Sequence, residues 1–191
     1  MRRDGRIDTS ITAGISRRHF LVGCAATFGM CGLSPAFAHT LSKRPERDLS
    51  FLNLHTGERL KVTYWADGDF VSESLSEINH LLRDFRTGDI HRIDPRLLDI
   101  LYGIKEKVGT RKEFHIISGY RSPKTNHMLR AKSGGVAKRS LHMQGKALDI
   151  RLPGRDIRTV HRAAKSLKAG GVGLYTKSNF VHVDTGRVRY W

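Results

Sequence analysis

The chain is most tightly constrained between Ser140 and Asp184. It carries Ser140-Leu-His142-Met-Gln-Gly145-Lys-Ala147-Leu-Asp149 and, further on, Phe180-Val-His182-Val-Asp184. Two imidazoles and a carboxylate are the donor set of a catalytic zinc site, in which three protein ligands leave a fourth position for water. For His142, Asp149 and His182 to meet on one ion, segments distant in sequence must converge within a few ångströms. Gly145 and Ala147 are small where His142 and Asp149 have to approach each other. Ten histidines in 191 residues will produce isolated His–Asp pairs by accident. The whole string, with its downstream His-Val-Asp, is far more specific than any such pair.

The N-terminus reads as an address rather than as structure. Ser16-Arg17-Arg18-His19-Phe20-Leu21 has the twin arginine, Phe and Leu of a Tat export signal. The apolar stretch from Phe20 to Leu33 is shorter than the roughly 20 residues a membrane span needs. Pro35-Ala36-Phe37-Ala38 then offers a small-x-small cleavage site. The expected organisation is a cleaved Tat-type signal peptide over residues 1–38, a flexible lead-in over 39–48 and a single domain over 49–191. Both cysteines, Cys24 and Cys31, fall within the signal, so the exported chain is expected to have no disulfide and no thiolate chemistry. The periplasm is the expected compartment, with no stable membrane insertion once the signal is gone.

Cleavage removes five arginines and two aspartates from a chain of 34 basic and 18 acidic residues, which leaves a net charge of +13 on 153 residues. That length suits one domain with a real core. The charge steers the protein toward a polyanion. Aromatic residues do not interleave with the basic ones as they do in nucleic-acid-binding surfaces, so nucleic acid is not expected as a partner. Anions of the cell envelope, including peptidoglycan stem carboxylates, remain. The competing reading is a solvated basic face with no partner. A monomer is expected.

Periodicity outlines an α+β fold. Leu49 to His55 and Leu60 to Trp65 alternate around Thr56-Gly57-Glu58, which predicts a β-hairpin with Phe51 and Tyr64 among its larger side chains. Leu75, Ile78, Leu81, Leu82 and Phe85 predict a helix over 74–86, capped by Ser72 or Ser74 and closed by Gly88. Asp94-Pro95 opens a second helix. Phe114 to Tyr120 reads as a strand, Ser122-Pro123 to Leu129 as a short helix, and Lys132 to Arg139 as a basic, glycine-rich loop beside the substrate. Lys146 to Leu152 reads as a strand, and Asp156 to Leu167 as a helix ended by Gly170-Gly171. Gly171 to Tyr175, Phe180 to Asp184 and Arg187 to Trp191 complete the strands. Helices segregating early and a small, mostly antiparallel sheet following them are the expected architecture.

Strand geometry assigns faces. Residues two apart point the same way, so Asp184 lies beside His182, and Asp149 shares a face with Ala147 and Arg151. Asp184 is a candidate general base, or a carboxylate that orients a His ligand. Arg121 is a candidate for stabilising negative charge on an attacked amide oxygen, with turn capping as its other reading. His80, His91, His115, His127 and His161 show no ligand spacing and are expected to be structural or solvent-exposed. Tyr120, Tyr175 and Trp191 are candidates for lining a groove, against the commoner role of packing.

Together, Ser118-Gly-Tyr-Arg-Ser122, the His142-to-Asp149 string and Phe180-Val-His182-Val-Asp184-Thr-Gly186 resemble the LAS metallopeptidases. That group includes D-Ala-D-Ala dipeptidases, murein endopeptidases and the hedgehog signalling domain. With its Tat-like start and its Val181-to-Trp191 ending, the chain is most similar to the YcbK/MepK branch of exported murein endopeptidases. The resemblance implies a hedgehog-like α+β fold, a Zn2+ ion held by His142, Asp149 and His182, and Arg121 near the scissile amide. It also implies cleavage of peptidoglycan peptide crosslinks, by preference between two meso-diaminopimelate residues. One position departs from the pattern. Many relatives place an acidic residue three positions before the last His ligand, where this chain has Asn179. Asp184 is the nearest acidic replacement. Without a base the domain would be a zinc-containing binding module, and a D,D-carboxypeptidase or dipeptidase is the third reading.

Overall fold

The computed structural model describes residues 45–191. The twin arginine, both cysteines, the cleavage site and the first part of the expected lead-in lie outside the described residues. Strand β1 (Glu46–Asn53) turns Arg47, Leu49, Phe51 and Asn53 inward. Strand β2 (Arg59–Ala66) pairs with it antiparallel and sets Phe51 opposite Leu60. A two-residue β3 (Asp69–Phe70) follows the Asp67-Gly68 turn. The hairpin therefore starts at Glu46, and residues 46–48 belong to the domain rather than to a flexible lead-in. The reason is Arg47. Its guanidinium is 2.8 Å from Asp99 Oδ1, which also accepts the Tyr64 hydroxyl at 2.9 Å.

Local capping chemistry sets the helices. Helix α1 (Ser72–Leu81) is capped at Val71 with no side-chain hydrogen bond, so neither Ser72 nor Ser74 is the cap. It also stops at Leu81, short of the expected residue 86. The Leu82 carbonyl takes the Tyr120 amide at 2.8 Å, so the chain beyond α1 is used as a brace for a distant segment. Helix α2 (Pro95–Val108) has Asp94 as cap, accepting from the Arg96 amide, and ends at Gly109 with φ 63°. In α3 (Pro123–Lys132), Ser122 Oγ caps the Thr125 amide. In α4 (Ile157–Leu167), Asp156 caps two amides, and the helix ends on Lys168 in the left-handed region, ahead of Gly170-Gly171.

The remaining strands are β4 (Phe114–Ser118), β5 (Ala147–Arg151), β6 (Gly171–Tyr175), β7 (Phe180–Asp184) and β8 (Arg189–Tyr190). All lie in one eight-stranded sheet, in the order β3-β2-β1-β4-β5-β7-β6-β8. The α+β class holds, but the sheet is larger than expected. It is mixed, with β1–β4 and β6–β8 parallel and the other pairs antiparallel. Helices α3 and α4 fall between strands instead of preceding them. Leu49, Phe51, Phe114, Ile116, Leu148, Ile150, Val181 and Val183 are buried in one core with α1, α2 and α4 residues such as Ile78, Leu97, Leu101 and Val160. Each of these side chains contributes about 1.5–3 kcal/mol by leaving water. No helix among the described residues is long and apolar enough to cross a membrane.

Removing one partner of a buried ion pair strands the other. Asp99→Ala should therefore destabilise the domain by about 3–5 kcal/mol, read as a lowered urea midpoint with an unchanged slope.

Candidate metal centre

The centre is assembled on the sheet face opposite the core. Along β5 and β7, Leu148, Ile150, Val181 and Val183 are buried in the core, so Asp149 and His182 face the other way. Register then aligns a row across four strands. Gly173 on β6 pairs with His182 on β7, His182 with Asp149 on β5, and Asp149 with Ser118 on β4. The two ligands stand side by side between two small residues.

His142 arrives from a short 3-10 turn, Leu141–Gln144. Gly145 ends the turn with φ 63°, and a Cβ there would run into the Arg92 carbonyl. Its own carbonyl accepts the Asp94 amide at 2.9 Å, so the segment before α2 backs the turn. The role expected for Gly145 is thus explicit: no side chain fits this approach. Two bonds tie the turn to the end of β4. The Gly119 carbonyl receives His142 Nδ1 at 2.8 Å, and the Arg121 amide donates to the His142 carbonyl at 3.2 Å. Gly119 is itself pressed against the Leu82 carbonyl, where a Cβ has no room.

These contacts fix the tautomers. A carbonyl only accepts, so His142 Nδ1 carries the proton and Nε2 offers its lone pair. His182 Nε2 lies 3.1 Å from Asp184 Oδ2, which leaves Nδ1 as its ligand atom. The free donors face one another. His142 Nε2 is 3.3 Å from His182 Nδ1 and 3.4 Å from Asp149 Oδ1, and His182 Nδ1 is 2.9 Å from that same oxygen. A tetrahedral ion with bonds of about 2.0–2.1 Å separates its ligand atoms by about 3.3 Å. The donor set and its spacing fit zinc, and this is the metal-capable group among the described residues.

Charge balance supports the same arrangement. Burial alone would raise the Asp149 carboxyl, but His142 and His182 beside it hold it well below the usual carboxylate range. Burial would lower His182, and hydrogen bonds to Asp149 and Asp184 outweigh it and push the imidazole up to about 9. An anion enclosed by two imidazoles is a place where a divalent cation gains much and displaces a proton.

Asp184 is fully buried. Its Oδ1 accepts the amides of Gly171 at 3.0 Å and Gly186 at 2.8 Å, and Arg189 bridges both oxygens at 3.1 and 2.7 Å. Burial raises its carboxyl, and the bonds from His182 and Arg189 bring it down to about 2. Both oxygens are occupied, and they meet His182 at the ring nitrogen that is not the ligand atom.

Arg121 stands beside the ligands, its guanidinium 3.9 Å from Asp149 Oδ2 and 3.3 Å from Ser118 Oγ. Asn126 Oδ1 lies 3.5 Å from it, and the Asn126 amide group reaches the Ala137 carbonyl at 3.2 Å. The same cleft, of about 370 Å³, is lined by Arg121, His142, Asp149 and His182 together with Arg139, Tyr175, Phe180 and Trp191. Asn179, three positions before His182, is exposed, and its carbonyl accepts from Arg151.

Sequence reasoning missed Asn126 and Arg189. Asn126 lies on α3 five residues after Arg121, a spacing that announces nothing until β4 and α3 are folded against each other. Arg189 lies in a run of alternating basic residues, Arg187-Val-Arg189, in which only one reaches Asp184. Among the other histidines, His91 stacks on Tyr120 at 4.6 Å and His55 on Phe85 at 3.8 Å, while His80 and His127 are exposed. His115 pairs with Arg151 across β4 and β5 and lies 3.8 Å from Glu113. Tyr120 packs against the core rather than lining the cleft.

A residue that orients a ligand acts through affinity. Asp184→Asn should weaken zinc binding about 10–100-fold in chelator competition while the fold, followed by far-UV circular dichroism, is retained. Gly145→Ala should cost about 2 kcal/mol or more of stability in denaturant unfolding and lower zinc affinity as well.

Comparison with known proteins agrees with this geometry. A family described as Peptidoglycan L,D-endopeptidase MepK matches residues 41–191. The chain is 48% identical over 158 residues to the Peptidoglycan L,D-endopeptidase MepK of Escherichia coli, covering 83% of this chain and 86% of that protein. The protein of the same description from Shigella flexneri is also 48% identical over 158 residues. A Probable peptidoglycan L,D-endopeptidase MepK of Haemophilus influenzae is 41% identical over 177 residues, 92% of this chain and 95% of that one. No solved structure matches. A match over the whole described domain, together with 48% identity over most of the chain to a curated relative, places this protein in the MepK family of peptidoglycan L,D-endopeptidases.

Proposed function

We propose that the protein is a zinc-dependent endopeptidase of the periplasm that hydrolyses peptide crosslinks in peptidoglycan, with bonds between two meso-diaminopimelate residues as its preferred target. The observation that carries this reading is the convergence of His142 Nε2, Asp149 Oδ1 and His182 Nδ1 in a cleft open enough for a peptide. Family membership supplies the substrate class. The twin arginine at Arg17-Arg18 and the small-x-small site at Ala36–Ala38 support Tat export with cleavage after Ala38.

The residues divide the work. His142, Asp149 and His182 would hold the zinc. When bound, that ion polarises the amide carbonyl and makes a water nucleophilic near neutral pH. Arg121, held by Ser118 and Asn126 beside Asp149, is placed to bind the amide oxygen as negative charge develops on it. Asp184 acts on the reaction through His182, keeping the proton on Nε2 so that Nδ1 stays a ligand. We assign it to positioning rather than to proton transfer, because Gly171, Gly186, Arg189 and His182 already use its oxygens.

One observation favours a second reading, a zinc-containing binding module without catalysis. Among the described residues lining the cleft, Asp149 is the only carboxylate, and it is a ligand. The experiment is digestion of intact peptidoglycan with the zinc-loaded protein, followed by chromatography and mass spectrometry of the muropeptides. Loss of crosslinked dimers, abolished by chelator and restored by zinc, is the expected result. His142→Ala should lose metal and activity together, by at least about 1,000-fold in rate. Zinc-loaded wild type that binds the sacculus and releases no new termini would establish the binding module instead.

A further inference from the structure

Trp191 is held in an unusual way for a half-exposed aromatic residue. Its amide donates to the Val172 carbonyl at 3.2 Å, and its carbonyl accepts the Leu174 amide at 2.9 Å. The indole lies over Gly173, where an added Cβ would collide with the ring. Gly173 is the β6 partner of His182, and the indole centroid is 5.3 Å from the His182 ring. Indole Nε1 donates to the Tyr175 hydroxyl at 2.9 Å, and Tyr175 stacks on Phe180 at 4.5 Å. Arg189, anchored on Asp184, lies 4.9 Å from the indole face. Trp191 nevertheless remains 47% exposed and Tyr175 37% exposed, and both line the metal cleft.

The same cleft holds a cation with no structural task. Arg189 is committed to Asp184, and Arg121 to Ser118, Asn126 and Asp149. Arg139 also lines the cleft, is exposed, and has no ion-pair partner among the described residues. Apolar rings fixed beside the metal ligands and an uncommitted guanidinium fit one kind of occupant. It is a peptide residue with an aliphatic side chain and a free carboxylate.

We propose that Tyr175 and Trp191 form the wall that receives the aliphatic chain of the residue next to the scissile amide, and that Arg139 binds that residue's free carboxylate. Gly173 is kept without a side chain so that the indole can lie over it, beside His182. This assignment of specificity rests on the endopeptidase reading.

The test uses the zinc-loaded protein and purified crosslinked muropeptide dimers, with the diaminopimelate carboxylates free or amidated. Trp191→Ala should raise KM about tenfold or more, with a smaller effect on kcat and unchanged zinc content, and Trp191→Phe should recover most of the loss. Wild type should prefer free over amidated dimers by about tenfold, and Arg139→Gln should abolish that preference. Trp65 is the other tryptophan, so a Trp65→Phe background reports Trp191 emission alone. That emission should shift on titration with intact dimers in the presence of chelator.

An unchanged kcat/KM in Trp191→Ala, loss of zinc from that variant, or an undiminished preference in Arg139→Gln would overturn the assignment while leaving the endopeptidase reading standing. An emission shift without any cleavage by zinc-loaded wild type would overturn the endopeptidase reading, and with it the assignment to a scissile bond, and would leave Trp191 in a wall that binds the peptide.

Discussion

The pairing of Asp149 with His182 across β5 and β7 is the contact on which the centre depends. A strand has a two-residue period, so a slip of one residue would send Asp149 into the core and Leu148 or Ile150 toward the metal ligands. The buried row of Leu148, Ile150, Val181 and Val183 is what prevents that slip. Core packing on one face of the sheet thus sets ligand geometry on the other. His142 is held by the Gly119 carbonyl, one residue beyond Ser118, the β4 partner of Asp149.

Glycine explains why so much chain can crowd around these atoms. Gly119 lies against Leu82, Gly145 against Arg92, and Gly171 against Asp184 and Arg189, in each case with no space for a Cβ. The early end of α1 belongs to the same economy. Stopping at Leu81 leaves the Leu82 carbonyl for Tyr120, next to the glycine whose own carbonyl orients His142. Behind the ligands, Asp184 and Arg189 form a further layer. A buried carboxylate is costly unless its oxygens are satisfied, and here two amides, one imidazole and one guanidinium do so.

Legibility from the sequence differed sharply by element. The caps at Asp94, Ser122 and Asp156 were readable, because a side-chain oxygen just before a helical stretch satisfies amides that nothing else nearby can reach. The β6 and β7 strands were readable from alternation. The first residues of β1 were not. Arg47 looks like part of a polar leader, and only Asp99 on α2 and Tyr64 on β2 give it a reason to be buried. The width of the sheet was hidden for a similar reason. The parallel contacts β1–β4 and β6–β8 join segments that no hairpin connects, so neither turn chemistry nor local periodicity announces them.

By itself the sequence singled out His142, Asp149 and His182 as a candidate donor set, and the small residues beside it, since metal chemistry restricts residue type more severely than the fold does. It also determined that Asp184 would lie on the same side of its strand as His182, because that follows from strand period alone. Tertiary structure decided what surrounds Asp184. Two choices, base or orienting group, were equally compatible with one strand. Arg189 from β8 and the amides of Gly171 and Gly186 close around the carboxylate and leave it facing the non-ligand nitrogen of His182. The same holds for Arg121, Arg139, Tyr175 and Trp191, which come from four separate stretches of chain and share a cleft only once the sheet is assembled. Residue type fixes which atoms are able to bind a metal, whereas the distances and free lone pairs that make them do so are set by neighbours remote in sequence.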